Sequence, residues 1–288
     1  MAGDSWNPDQ YARFGAERSQ PFYDLLGLVR EAPGGAPGAP RGPRGGRVVD
    51  LGCGTGELTR VLHERLGAAE TVGLDSSPAM LARSAAVAGG GLRFEAGDIA
   101  AFDPAGGYDL VFSNAALQWV PDHPAILGRI AAGLPPGGQV AVQVPANDDH
   151  PSHLLAAALA SESPFKERLD GYVRRSHILT PEAYAGLLNA LGFAQQHVRL
   201  QVYGHLLEGP ESVVEWVRGT LLTDYERRLS AGDYAAFLEE YRRRLLPRLG
   251  AGGPYFYPFK RILFWGCMAP APGSAAGSEQ GAAVSGRA

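Results

Sequence analysis

Between residues 47 and 145 short apolar runs alternate with stretches whose apolar residues recur every three or four positions, and each run ends in a polar or glycine-rich turn. The runs RVVDL (47–51), TVGLD (71–75), LRFEAGD (92–98), YDLVFSNA (108–115) and QVAVQVP (139–145) are too short for buried helices and read as buried strands. Between them, GELTRVLHERLG (56–67) carries Leu58, Val61, Leu62 and Leu66 on one helical face and stops at Gly67. SPAMLARSAA (77–86) and the stretch Asp122 to Leu134 read as further helices. Strands separated by helices pair in parallel through right-handed crossovers, so the expected fold is α/β, with a doubly wound and mostly parallel sheet.

Past Pro145 the periodicity changes. Thr180 caps a helix with Pro181 in its first turn, Tyr184, Leu187, Leu188 and Leu191 on one face, and Gly192 at its end. The strand HVRLQVYG (197–204) follows. Two helices are predicted next, one through Val213, Val214, Trp216 and Val217 and one through Tyr234, Phe237, Leu238, Tyr241 and Leu245, before a last strand, RILFWGCM (261–268). This makes seven strands, with a helical cap inserted at about 209–250. From Ala32 to Gly46 ten of fifteen residues are Gly or Pro, which no helix or strand propagates through, so 32–46 is expected to be a connector between an N-terminal helical segment (1–31) and the main domain (47–269). The stretch 270–288, rich in Ala, Gly, Ser and Pro, is expected to be a disordered tail.

Composition narrows the chemistry. With 288 residues and 45% apolar content the chain builds a full core, and a net charge of −4 leaves no global basic field for nucleic acid. Two cysteines, Cys53 inside a glycine loop and Cys267, are too few for a disulfide framework. No export signal and no run near the roughly 20 apolar residues of a membrane span is present. A cytoplasmic protein, a monomer or weak dimer acting on a small molecule, is expected. The run Arg242 to Arg244 opposite an apolar stripe reads as a solvated face, and no metal-ligand spacing or nucleophilic triad stands out.

The candidate site begins at VVDLGCGTGELT, where Gly52, Gly54 and Gly56 lie between a strand and a helix and let backbone N–H groups approach an anion. The spacing alone leaves two anions open, the pyrophosphate of a dinucleotide or the methionyl carboxylate of a sulfonium cofactor. Glu57, standing where the dinucleotide fingerprint continues toward its third glycine, and Asp50, two residues before Gly52, favour the second, since a carboxylate there repels pyrophosphate but accepts from an ammonium group. At the next strand end Asp75, with Ser76 beside it, is placed for ribose hydroxyls, and Met80 for the adenine face. In EAGDI, Asp98 is placed to accept from the adenine amino group, with the Ile99 N–H toward the ring. After the fourth strand, SNAALQWVPDH brings Asn114, Gln118 and the aromatic face of Trp119 to the place where a cationic methyl donor would discharge.

Through VVDLGCGTG, GLDSSPAML, AGDI and YDLVFSNAALQWV the chain resembles the class I methyltransferases, which use S-adenosylmethionine on a Rossmann-like sheet. Over nearly its full length it resembles the trans-aconitate methyltransferases, through WNPDQYARFGAERSQPFYDLL, SNAALQWVPDH, VAVQVPANDDHPSH, TPEAYAGLLNALGF and YPFKRILF. The resemblance implies methyl transfer to a carboxylate of trans-aconitate, giving a monomethyl ester and S-adenosylhomocysteine and disarming an inhibitor of aconitase. The connector and the tail depart from the family pattern without touching a motif.

A carboxylate, with a reference pKa near 4, arrives ionised, so no general base is expected. The work is to desolvate a weak nucleophile and hold it in line. Lys260 and Arg261, with His150 and His153, are candidates to hold the carboxylates that do not react, and Gln118 and Trp119 are expected beside the substrate. Tyr11, Phe14 and Arg18 share one helical face, with Tyr11 expected at the cofactor and Arg18 at its methionyl carboxylate. Three rivals stay open: a methyltransferase for malonyl groups on acyl carrier protein, which needs a basic docking face; a nicotinamide oxidoreductase, disfavoured by Asp50 and by the absence of an evident hydride-transfer residue set; and a catalytically silent nucleotide-binding module, which leaves Trp119 and the cap without a purpose.

Overall fold

The computed structural model describes residues 15–30, 43–250 and 252–271, with side chains from Ser19 onward in the first segment. Tyr11, Phe14, the side chain of Arg18, most of the Gly/Pro connector and the tail from 272 lie outside the described residues.

Seven strands form one sheet in the order β3-β2-β1-β4-β5-β7-β6. They are β1 (Arg47–Leu51), β2 (Glu70–Asp75), β3 (Leu92–Ala96), β4 (Leu110–Asn114), β5 (Gln139–Pro145), β6 (Phe193–Leu207) and β7 (Tyr255–Met268). The first five pair in parallel, and β7 runs antiparallel to both β5 and β6. The order reverses at β1, between β2 and β4, which leaves a crevice at the strands' carboxyl ends, the place where open α/β sheets bind ligands.

Helices cover both faces, as a parallel sheet of apolar runs requires. On one face α1 (Gly15–Leu26) and α2 (Glu57–Leu66) bring Phe22, Leu25, Leu62 and Leu66 against Val48, Leu110, Phe112, Leu263 and Trp265. On the other, α4 (His123–Gly133) and α7 (Pro181–Ala190) pack Ile126, Leu127, Ile130, Tyr184 and Leu188 on Val49, Val111, Val140, Ile262 and Phe264; the short α3 (Pro78–Ser84) follows β2. The starts are chemically marked: Ser77, Asp122 and Thr180 each accept a backbone N–H of the first turn.

β6 and β7 run beyond their predicted limits as an antiparallel pair of 15 and 14 residues. Its far end is covered by α5 (Pro151–Ala160), α6 (Phe165–Arg168), α8 (Pro210–Arg218), α9 (Thr223–Glu226) and α10 (Ala231–Leu249). Their separate apolar cluster includes Leu155, Phe165, Trp216, Tyr225, Phe237 and Tyr241 with Tyr257 and Phe259 of β7. Arg242, Arg243 and Arg244, expected as a merely solvated face, form ion pairs with Glu215, Glu240 and Glu162.

Candidate active site

The switch in strand order brings the ends of β1, β2 and β4 together, with the turn after β3 beside them. They enclose a crevice of about 340 Å³ lined by Asp50, Gly52, Cys53, Gly54, Asp75, Ser76, Met80, Asp98, Ile99 and Asn114, with Phe22 of α1 on its wall. Of the expected residues Asp50, Gly52, Gly54, Asp75, Ser76, Met80, Asp98, Ile99 and Asn114 therefore face one cavity, whereas Gly56, at φ +85°, does not line it: it packs against Phe94 and Ser84, which a Cβ would meet at 2.6 and 2.9 Å.

The glycine loop works differently from the expectation of free N–H donors. The N–H groups of Gly52 and Cys53 donate to the Leu74 carbonyl at 2.7 and 3.1 Å, and that of Gly54 donates to Asp75 Oδ2 at 2.9 Å. These donors lock the loop onto β2 instead of pointing at a ligand. Glycine is still required: Gly52 has φ +79°, and a Cβ there would sit 2.1 Å from the Ala116 methyl. Gly54, at φ +57°, has nothing within 4 Å of where a Cβ would stand, so the loop presents bare backbone to the cavity.

The three acids are held in three ways. Asp75 accepts from the Gly54 and Ser77 N–H groups, at 2.9 Å each, and so ties the loop to the start of α3. Asp98 accepts from the Ala100 N–H at 2.8 Å and starts a 3-10 turn at Ile99. Asp50 is 4% exposed and accepts from the Thr59 hydroxyl at 2.6 Å. Burial, with the charge of Asp75 nearby, pushes its carboxyl up from 3.8 to about 7 despite the Thr59 bond. The same burial and the same acids push the Cys53 thiol far up, so it is no nucleophile.

A second, smaller cavity of about 80 Å³ shares Asn114, Ala115 and Trp119 with the first. These three residues are the doorway. Ala115 holds a left-handed backbone, φ +56°, and its carbonyl accepts from Gln118 Nε2 at 2.6 Å. The amide oxygens of Asn114 and Gln118 are buried with no hydrogen-bond donor among the described residues, so each is an acceptor left for a ligand.

Beyond the doorway the small cavity is lined by Gln118, Trp119, Asn147, His153, Arg174, Trp216, Thr220 and Arg261. Arg261, 4% exposed, reaches the Gln143 amide oxygen at 3.3 Å and stacks 4.8 Å from the Phe259 ring. Arg174 lies 5.3 Å over the Trp119 ring with its Nε 3.3 Å from Asp224. His153 is held neutral: burial, then the charge of Arg174, pulls it down to about 3.

Two expected substrate ligands stand elsewhere. The pleat of β7 sends Lys260 to the face opposite Arg261, where its ammonium pairs with exposed Asp149. His150 is the N-cap of α5: its Nδ1 accepts from the Ser152 N–H at 3.2 Å, its Nε2 meets the Tyr255 hydroxyl at 3.1 Å, and its ring packs edge-on to Tyr257 at 4.8 Å. Arg174, which sequence reasoning passed over, lies in the irregular stretch 173–180, where no periodicity marks a face.

A family model described as a methyltransferase domain matches residues 22–198, more than half of the chain. The fold has the same likeness: a putative methyltransferase of Bacillus halodurans superposes with a TM-score of 0.52 at 14% identity, covering 86% of this chain and 98% of that one. Among curated proteins, the trans-aconitate 2-methyltransferase of Deinococcus radiodurans is 46% identical over 266 residues, 90% of this chain and 97% of that protein. That of Streptomyces avermitilis is 44% identical over 267 residues, 90% and 95% of the two chains. The chain thus has the fold and the domain of a methyltransferase. Within that class it belongs to the trans-aconitate 2-methyltransferase family.

Proposed function

We propose that this enzyme transfers the methyl group of S-adenosylmethionine to one carboxylate of trans-aconitate, or of a closely related small polycarboxylate, forming the monomethyl ester. One observation carries the reading: a small cavity with two guanidinium groups, Arg174 and Arg261, opens through Asn114, Ala115 and Trp119 onto a crevice walled by acids.

The crevice suits the cofactor. The buried Asp50 carboxylate and the unpartnered Asn114 oxygen want a cationic donor, which the methionyl ammonium provides, and a pyrophosphate does not. Asp75 and Ser76 would hold the ribose, Met80 and Ile99 the adenine faces, and Asp98 the amino group. When bound, the cofactor supplies an electrophilic methyl on a sulfonium.

The chain's own part is to position and dry the nucleophile. Arg174 and Arg261 pair with the carboxylates that do not react, each through charge-assisted bonds that planar guanidinium groups make well. That leaves the third carboxylate toward the doorway. Trp119 and Trp216 line the cavity with apolar surface and exclude water, which weakens solvation of that carboxylate. No side chain needs to take a proton from it, since it is ionised at neutral pH. His153, neutral beside Arg174, adds a hydrogen-bonding group without cancelling the positive charge.

The test is incubation with methyl-labelled cofactor and a panel of trans-aconitate, cis-aconitate, isopropylmalate and malonyl acyl carrier protein. Base-labile label on trans-aconitate above the others is expected. Label on the carrier protein alone would overturn the reading.

A further inference from the structure

The two cavities of the site leave a third concavity unused. It measures about 450 Å³ and is lined by Gln118, Trp119, Tyr172, Arg174, Arg175, His177 and Asp224. Gln118, Trp119 and Arg174 line the small cavity as well, so the two hollows meet at these three residues. The outer hollow is several times larger than the inner one and is rimmed by groups that the methyl transfer does not use.

The rim is positive. Arg175 and His177 are exposed, and no described carboxylate pairs with Arg175. Arg228 lies 3.7 Å over the ring of Tyr172, another lining residue, and adds a further cation behind the wall. Asp224 is the lining acid, and Arg174 and Arg227 both pair with it. Arg174, Arg175, Arg227 and Arg228 stand together here around one lining acid, Asp224, which makes this a locally positive patch on a chain whose net charge is −4.

We propose that this hollow is a recruiting vestibule for the anionic substrate: a small polycarboxylate is first held at the Arg175 and His177 rim and is then handed past Trp119 to Arg174, which faces both hollows. The assignment rests on the polycarboxylate reading above. It makes Arg175 a determinant of preference for substrates of high negative charge, outside the cavity where methyl transfer takes place. An electrostatic vestibule of this kind acts on kcat/KM and depends on ionic strength, because its charges lie in solvent.

The experiment uses the full chain and measures kcat/KM for trans-aconitate against added salt, between about 0.02 and 0.3 M, a range over which screening changes greatly. Wild type is expected to lose kcat/KM steadily as salt rises. Arg175→Glu is expected to start about tenfold lower at low salt and to show a flattened dependence. Arg248→Glu is the control for charge alone: Arg248 is exposed near the end of α10, a helix of 19 residues and hence about 28 Å long, whose start follows the α9 segment that bears Asp224. It is expected to match wild type. If Arg175→Glu and Arg248→Glu give the same values and the same slope, the vestibule is wrong while the function stands. If wild type transfers no methyl to trans-aconitate at any salt, it is the underlying reading that fails.

Discussion

Replacing Asp50 by Asn separates the demands of folding from those of binding. The folded protein raises this carboxyl from 3.8 to about 7, which corresponds to about 4 kcal/mol. The sign follows from which state holds the proton. A folded-state value above the unfolded one means that the native protein binds the proton more tightly, so Asp50 costs nothing below about pH 3.8. Its cost grows as pH rises to about 7 and is then constant. The amide of the variant stays neutral and still accepts from Thr59, so above pH 7 Asp50→Asn is expected to gain up to about 4 kcal/mol of stability over wild type, with the difference shrinking toward pH 5. Denaturant unfolding of both proteins at pH 5 and pH 8 measures this, and effects of other groups cancel in the comparison. Binding moves the opposite way: losing an ionised acceptor for an ammonium group should weaken S-adenosylhomocysteine by about 1.5–3 kcal/mol, roughly 10- to 100-fold. Wild type should also release a proton on binding near pH 7. A variant equally destabilised at both pH values, with unchanged affinity, would refute the reasoning.

Three further substitutions test the rest of the site. Arg261→Gln removes the proposed charge-assisted contact to a substrate carboxylate and should raise KM for trans-aconitate about 10- to 100-fold while leaving S-adenosylhomocysteine affinity within about twofold, read by steady-state kinetics and calorimetry. Lys260→Ala breaks only an exposed pair with Asp149 and should change KM by less than about threefold, because such pairs contribute about 0–1 kcal/mol; a loss as large as that of Arg261→Gln would return Lys260 to the site. Gly52→Ala forces a methyl to within 2.1 Å of the Ala116 side chain at a left-handed φ, and should abolish cofactor binding or the cooperative thermal transition itself.

The legible parts of this molecule are those where a local pattern has one structural outcome. RVVDL and QVAVQVP became β1 and β5 with the expected limits, and Thr180 with Pro181 started α7 as capping chemistry requires. Asp50, Asp75, Asp98 and Asn114 could be gathered on one edge because parallel strands of a doubly wound sheet end on the same side. What the pattern hides is direction. Lys260 and Arg261 are neighbours of like charge, and only the register of β7 against β5, Pro145 opposite Arg261, decides which one turns inward. His150 and His153 differ by one helical turn's geometry: the first is spent as the α5 cap, while the second faces the cavity. Arg174 was invisible for another reason. It lies in an irregular stretch, oriented by Asp224 of α9 and by the Trp119 ring, contacts between segments far apart in the chain. The glycine loop was recognised for the right geometry but with the wrong use of its N–H groups, since Leu74 and Asp75 claim them.

The proposed site divides its labour across Asn114, Ala115 and Trp119, with the cofactor on the acidic side and the polycarboxylate on the side of the two arginines. A crystal structure with S-adenosylhomocysteine and trans-aconitate tests it most directly. Two substrate carboxylates paired with Arg174 and Arg261, and the third turned through the doorway toward the sulfur, is the predicted arrangement. Substrate bound away from both guanidinium groups, or a cofactor lying outside the crevice of Asp50, Asp75 and Asp98, would contradict it.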